Sequence, residues 1–133
     1  MVRILHKVHA QPTRTDLAVS DLPAFLAADS DHRAMLWVDL FDDAPILNGY
    51  GEPGADPDIN HLLREVFDFD PLAVDDALSE THVPKVDDWA HYLYIVLHAV
   101  AFKSDIAQVD TRELDVFLGR KLLVTYHFEP IPA

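Results

Sequence analysis

Apolar and polar positions follow one another along the chain in short periodic segments. Val2, Ile4, Leu5 and Val8 interleave with Arg3, His6 and Lys7, which predicts a strand with one wetter face. Gln11 to Asp16 is polar and contains Pro12, so it reads as a loop. From Asp21 the run Leu-Pro-Ala-Phe-Leu-Ala-Ala predicts a short helix capped by Ser20 or Asp21. Met35 to Phe41 is apolar on both alternating faces apart from Asp39, which predicts an interior strand in a sheet covered on both sides. Asp42 to Asp58 holds three of the four glycines and three prolines and reads as the one long loop.

Two helix starts follow, Asp56-Pro57 and Asp70-Pro71, each with an acid at the cap and Pro at the first position. In the first helix Ile59, Leu62, Leu63, Val66 and Phe67 recur at helical spacing. In the second, Pro71 to Ser79, one side gathers Ala73, Val74, Ala77 and Leu78. The other gathers Asp75, Asp76 and Ser79 with Leu72 among them, and an apolar residue inside an acidic face hints at a protein contact. Pro84 to Phe102 reads as a strand pair or one long bent strand, with His91 to Phe102 at the centre of the sheet. Glu113 to Leu118 and Lys121 to Phe128 are separated by Gly119-Arg120, the signal of a tight hairpin with Gly at the first turn position. The pattern predicts a single α/β domain over residues 1–133, a mixed β-sheet with helices packed on its faces. The late hairpin rules out a purely parallel sheet.

Charge sharpens this picture. Ten basic residues stand against 23 acids, a net charge of −13 with histidine neutral. From Asp39 to Asp88 there are 14 acids and two bases, net −12, so the rest of the chain sums to about −1. Nucleic acid is excluded as a partner class, because it needs a basic surface to displace counterions. A segment this acidic attracts cations or a basic partner, although solubility alone would also account for it. Cysteine is absent, which removes disulfides, thiolate metal sites and thiol nucleophiles. Met1 is followed by Val-Arg-Ile-Leu-His-Lys, which lacks the apolar core of a signal peptide. No run approaches the roughly 18 apolar residues of a membrane-spanning helix, so the chain is expected to be soluble by itself.

Catalytic templates fail. The glycines of Asn48 to Gly54 neither follow a strand directly nor open a helix as a phosphate loop requires. No HExxH is present, and no serine stands in a nucleophile-elbow context. Asp68-Phe69-Asp70 imitates a phosphotransferase aspartate pair but follows a helix instead of a buried strand. The eight histidines show no zinc spacing, and His91 and His98 fall on opposite faces of a strand by parity. Trp37 and Trp89 read as sheet-packing residues. What remains are acid clusters at Asp39/Asp42/Asp43, Asp68/Asp70, Asp75/Asp76 and Asp87/Asp88, whose oxygens suit hard cations such as Mg2+. One adjacent pair rarely makes a site alone, but it could share a weak site with a neighbouring chain.

The stretch DPLAVDDALSETHVPKVDDWAHYLYIVL, Asp70 to Leu97, resembles the signature of the cytoplasmic domain of the CorA family of divalent-cation channels. The matching elements are Pro71-Leu72, the pair Asp75-Asp76, Pro84-Lys85-Val86 and Tyr92 to Leu97. Trp37-Val38-Asp39-Leu40 is similar to an earlier strand of the family, and Thr111 to His127 to its closing hairpin. The resemblance spans about Met35 to Phe128. Three positions depart from the pattern: Asp70 where His is common, Asp75 where Glu is common, and Val83 where Arg is common.

The resemblance implies a CorA soluble-domain fold, no enzymatic activity, and a place at the cytoplasmic face of the cell membrane as part of a homopentameric Mg2+ channel that also passes Co2+. It further implies a regulatory metal site, with Asp76 as ligand and Asp75 as accessory, where Mg2+ bound between protomers holds the closed state. The family's stalk helix, membrane helices and Gly-Met-Asn motif would follow near Ala133, so the chain is expected to be an excised domain or a shortened relative. Alone it should be monomeric or weakly associated, and should bind Mg2+ weakly because the stalk's ligand is missing. The alternatives are the cytoplasmic domain of a related zinc transporter and a stand-alone acidic metal-binding or adaptor protein. A metal-dependent phosphate-ester enzyme stands behind both.

Overall fold

In a computed structural model, residues 1–28, 33–42, 46–47, 53–54, 56–79, 83–128 and 131 are described. Strand β1 (Val2–Val8) leads through a short 3₁₀ turn (Val19–Asp21) into helix α1 (Leu22–Ala27) and strand β2 (Ala34–Phe41). Two-residue strands β3 (Ile46–Leu47) and β4 (Pro53–Gly54) pair with each other. Helix α2 (Pro57–His61) widens into a π turn (Leu62–Val66), and helix α3 (Pro71–Leu78) follows. Strands β5 (Lys85–Asp88), β6 (Leu93–Lys103), β7 (Gln108–Leu118) and β8 (Leu122–His127) complete the chain.

Six strands form one sheet in the order β1-β2-β8-β7-β6-β5. Every neighbouring pair is antiparallel except β2 and β8, which run parallel from Leu36↔Leu122 to Phe41↔His127. The predicted mixed α/β fold is therefore present. The Pro84 to Phe102 segment resolves into the strand pair β5 and β6, with β6 beside the edge strand instead of at the centre.

Both predicted Asp-Pro helix starts are found. Asp56 and Asp70 each accept a hydrogen bond from the backbone N–H two residues on, Asp58 at 2.8 Å and Leu72 at 2.9 Å. Asp21 stands at the cap of α1, but its carboxylate reaches back to the Ala18 N–H at 2.8 Å. The late hairpin turns one residue further on than expected. Leu118 pairs with Leu123 and the Gly119 N–H donates to the Leu122 carbonyl at 2.8 Å, so Arg120-Lys121 forms the turn. The Lys121 carbonyl is tied to the Leu36 N–H at 2.8 Å, which anchors the turn to β2. A Cβ on Gly119 would meet its neighbours at 3.7 Å, ordinary contact, so glycine is not required there.

The core lies on one face of the sheet. Val38, Leu40, Tyr94, Val96, Phe117 and Val124 point inward from the strands. Leu22, Ile59, Leu63, Phe69 and Val74 meet them from the helical layer. Phe69 stacks on Phe117 with ring centroids 4.3 Å apart. The opposite face differs from expectation. Along β2, buried Ala34, Leu36, Val38 and Leu40 alternate with exposed Met35 and Trp37 and half-buried Asp39 and Phe41. Among the described residues every helix packs on the inner face, so the apolar outer side of β2 and β6 is not covered as predicted.

Candidate functional site

Helix α3 presents the predicted site. Its cap is fixed twice: Asp70 caps Leu72, and the Asp70 N–H donates to the Tyr92 hydroxyl at 2.8 Å. Ala73, Val74 and Ala77 are buried against the sheet, which turns Leu72 and Asp75 to solvent and leaves Asp76 half-buried. Asp75 is ion-paired with Arg64 of the π turn, whose Nε also donates to Asn60 Oδ1 at 2.7 Å. Asp76 Oδ2 lies 2.6 Å from Lys85 Nζ, and the same ammonium reaches Asp87 Oδ2 at 2.8 Å. Hydrogen bonds to Asp76 and Asp87 hold the Lys85 ammonium charged beyond the ordinary lysine range. Lys85 also sits 5.4 Å from the centre of the Tyr94 ring.

Behind Lys85 lies an acid that sequence reasoning missed. Asp115 is buried and accepts a hydrogen bond from the Tyr94 hydroxyl at 2.5 Å. Burial pushes its carboxyl up to about 8, against the Tyr94 hydrogen bond and with help from neighbouring Glu113. Burial and the facing acid likewise push the Tyr94 phenol up. The signal was available: Asp115 shares its side of β7 with Phe117, which places it on the core face by parity. The neighbouring Tyr126 hydroxyl is buried without a hydrogen-bond partner among the described residues.

The remaining acid clusters have structural duties. Asp39 stands on the outer face, where Arg3 lies 3.2 Å from Oδ2 and His127 lies 3.2 Å from Oδ1. Thr125 donates to Asp39 at 2.7 Å and accepts from the Trp37 indole at 3.0 Å. Burial opposes ionisation of Asp39, but the His127 and Thr125 hydrogen bonds and the nearby positive groups hold its carboxyl below the ordinary range. Buried Asp42 accepts from the Asp56 N–H at 3.1 Å. Asp68 adopts a left-handed backbone with φ 54°, Asp70 is the α3 cap, and Asp88 closes a turn onto the Ala90 N–H at 2.8 Å. The imitation phosphotransferase pair is thus a helix connection. Asp43, His32, His82 and most of the glycine-rich loop lie outside the described residues.

Asp75 and Asp76 therefore sit side by side on one exposed helix, each already matched to a basic side chain. Among the described residues no three histidine or carboxylate side chains converge as metal ligands. The pair offers hard oxygens but only part of a coordination shell, and it fits a divalent ion only if further ligands come from elsewhere. No helix among the described residues is long and apolar enough to cross a membrane.

Comparison with known proteins places this geometry in a family. Residues 52–133 match the CorA-like Mg2+ transporter protein family, more than half of the chain. The chain belongs to that family of metal-ion transporters. A curated relative, the putative metal ion transporter YfjQ of Bacillus subtilis (strain 168), is 31% identical over 100 residues, covering 75% of this chain and 26% of the relative. The fold is shared with solved structures at lower identity. The complete CorA magnesium transporter of Methanocaldococcus jannaschii matches at 17% identity with a TM-score of 0.61, over 98% of this chain and 33% of that one. The soluble domain of the same archaeon's CorA gives 16% and 0.56, over 96% of this chain and 41% of that one. Full-length CmaX gives 17% and 0.65, over 98% and 35%. The chain spans about a quarter to two fifths of the length of these relatives.

Proposed function

We propose that this chain is the regulatory cytoplasmic domain of a divalent-cation transporter that carries Mg2+, and Co2+ as a secondary ion, in a homopentameric assembly at the cytoplasmic face of the membrane. Family membership through residues 52–133 is the observation that carries the reading. Asp76, with Asp75 as accessory, is the half-site for a regulatory Mg2+ completed by a neighbouring protomer. Opposed carboxylates repel across a subunit boundary unless a divalent ion bridges them, so a fall in Mg2+ loosens the ring. Exposure of α3 supports the assignment, because both carboxylates are reachable from outside the fold. Lys85 and Arg64 already neutralise the pair, so a divalent ion must compete with them and binding to one copy is weak.

Calorimetric titration of the chain with Mg2+ tests the site. The expected result is weak binding that Asp75→Ala and Asp76→Ala together abolish. A tight site that survives the double substitution would show that the regulatory ion binds elsewhere. In a transporter carrying this domain, Asp76→Ala should leave Mg2+ flux open at high internal Mg2+; a normal shut-off would sink the regulatory role. Zn2+ flux without Mg2+ flux would replace the Mg2+ reading with a zinc transporter.

A further inference from the structure

The sheet narrows abruptly on the way to the turn between β6 and β7. Strand β5 pairs with β6 only as far as Val96, and β8 pairs with β7 only from Asp115. Beyond these points β6 and β7 continue together for seven residue pairs, Leu97↔Leu114 to Lys103↔Gln108. This arm is a two-stranded ribbon about 23 Å long, and such a ribbon is marginal in water by itself. Its hold on the sheet body depends on the residues at the step.

The step is built around a pair of acids. Tyr94, Val96 and His98 share the inner side of β6, and Phe117, Asp115 and Glu113 stand beside them on β7. Asp115 is 1% exposed. The Tyr94 hydroxyl donates to Asp115 Oδ1 at 2.5 Å, and the Glu113 carboxyl lies within hydrogen-bonding reach of the same residue. Two carboxyl groups hydrogen-bond only through a proton on one of them, and Tyr94 leaves Asp115 Oδ2 to carry it. Opposite Glu113, His98 Nε2 lies 3.9 Å from the carboxyl oxygen.

We infer that Glu113 and Asp115 share one proton and that its loss to solvent loosens the root of the arm, which makes the step a proton-operated hinge. The groups packed around the pair are acidic or already engaged. From β5, Lys85 approaches the Tyr94 ring, but its ammonium is held by Asp76 of α3 and by Asp87 at 2.6 and 2.8 Å. Asp76 acts on Asp115 as a further negative charge. From β8 comes the buried Tyr126 hydroxyl, which Asp42 and Asp56 also face. His98, when protonated, offsets the charge of Glu113.

The direction of the switch follows from where the proton is held. Burial pushes the Asp115 carboxyl up to about 8, the Tyr94 hydrogen bond opposes this, and the Glu113 charge adds to it. When the root opens, water reaches Asp115 and its carboxyl returns to the ordinary range. Opening therefore releases one proton at any pH between that range and about 8. Across this window opening becomes easier as pH rises. Above about 8 the closed form has lost the proton as well, and the dependence levels off. The stiffness of the arm thus follows pH through neutrality.

Amide hydrogen exchange of the chain in metal-free buffer tests the hinge, read as protection after correction for the intrinsic pH dependence. Protection at residues 97–99 and 112–114 should fall by about tenfold per pH unit from about pH 5 to about pH 8, because one proton leaves per opening. It should stay below that of β1 throughout, since the root opens without the whole fold. Asp115→Asn should remove most of the slope. A flat parent, a variant that keeps the parent's slope, or root amides that exchange exactly as β1 does would each overturn the hinge. Carboxyl 13C titration tests the shared proton: Glu113→Gln should move the Asp115 midpoint down, and an unchanged midpoint would overturn the sharing. Circular dichroism checks each fold. If Asp115→Asn unfolds, Glu113→Gln takes its place in the exchange experiment, where its slope should end at a lower pH than the parent's. No metal is present in either measurement, so the hinge stands or falls separately from the regulatory site.

Discussion

The two faces of the sheet are built from strands of similar apolar content, but only one of them is a core. Phe117 and Leu118 are neighbours in β7. Phe117 points inward, is fully buried and stacks on Phe69, whereas Leu118 points outward and is exposed. The difference lies in what stands opposite each face, since among the described residues the helical layer supplies partners on one side only. An apolar side chain contributes to stability when folding removes it from water and packs it. Apolarity in the sequence is only an offer of that contribution.

This contrast can be broken most directly at that pair. Phe117→Ala should destabilise the domain by about 3 to 5 kcal/mol in urea unfolding, and Leu118→Ala by less than about 1 kcal/mol. Equal losses would mean that the outer face is packed in solution.

A smaller effect separates two aspartates on the opposite faces. Asp115 on the inner face has a raised carboxyl pKa of about 8. Its contribution is therefore fully present below the ordinary carboxylate range and is lost as pH rises towards about 8. Asp115→Asn keeps a neutral polar group opposite Tyr94, so the stability advantage of the parent over the variant should shrink from pH 4 to pH 8. An advantage that grew over this range would show that Asp115 is ionised in the fold.

Asp39 on the outer face should behave in the opposite sense. Its carboxyl pKa is lowered, so its contribution is present above the ordinary carboxylate range and is lost as pH falls through the folded value. Asp39→Asn should cost about 1 kcal/mol at neutral pH and progressively less in acid. The smallest effect belongs to α3. Asp75→Ala removes an exposed ion pair with Arg64 and should change stability by less than about 1 kcal/mol. A larger loss would make the acidic helix face a structural element.

Much of the fold was legible because its signals are local. The period-two pattern of β1 and β2, the Asp-Pro starts of α2 and α3 and the break between β7 and β8 each act within a few residues. The exposure of the outer face among the described residues was not legible, since Trp37 and Met35 read alike whether a helix or water faces them. The parallel pairing of β2 with β8 left no local trace, because it joins residues 86 positions apart, as at Leu36↔Leu122. Strand β7 begins at Gln108, ahead of the Glu113 start that the sequence pattern predicts. Gln108, Asp110 and Arg112 alternate with Val109 and Thr111, and that pattern resembles a polar loop when the partner strand is ignored. At the candidate site, the adjacency of Asp75 and Asp76 was readable. Their pairing with Arg64 and Lys85 depends on how the π turn and β5 lie beside α3, which spacing alone does not encode.

The parallel seam between β2 and β8 also bears on how the molecule assembles in time. It joins the antiparallel pair of β1 and β2 to the β5–β8 meander, and both of those units pair strands that follow one another along the chain. Closing the seam requires the longest loop, so it carries the highest entropic cost and belongs late in folding. The Trp37 indole crosses it to Thr125, while Trp89 lies inside the meander. The chain therefore carries its own pair of clocks. Trp89 fluorescence should settle first, and that of Trp37 should follow only when the two halves of the sheet meet.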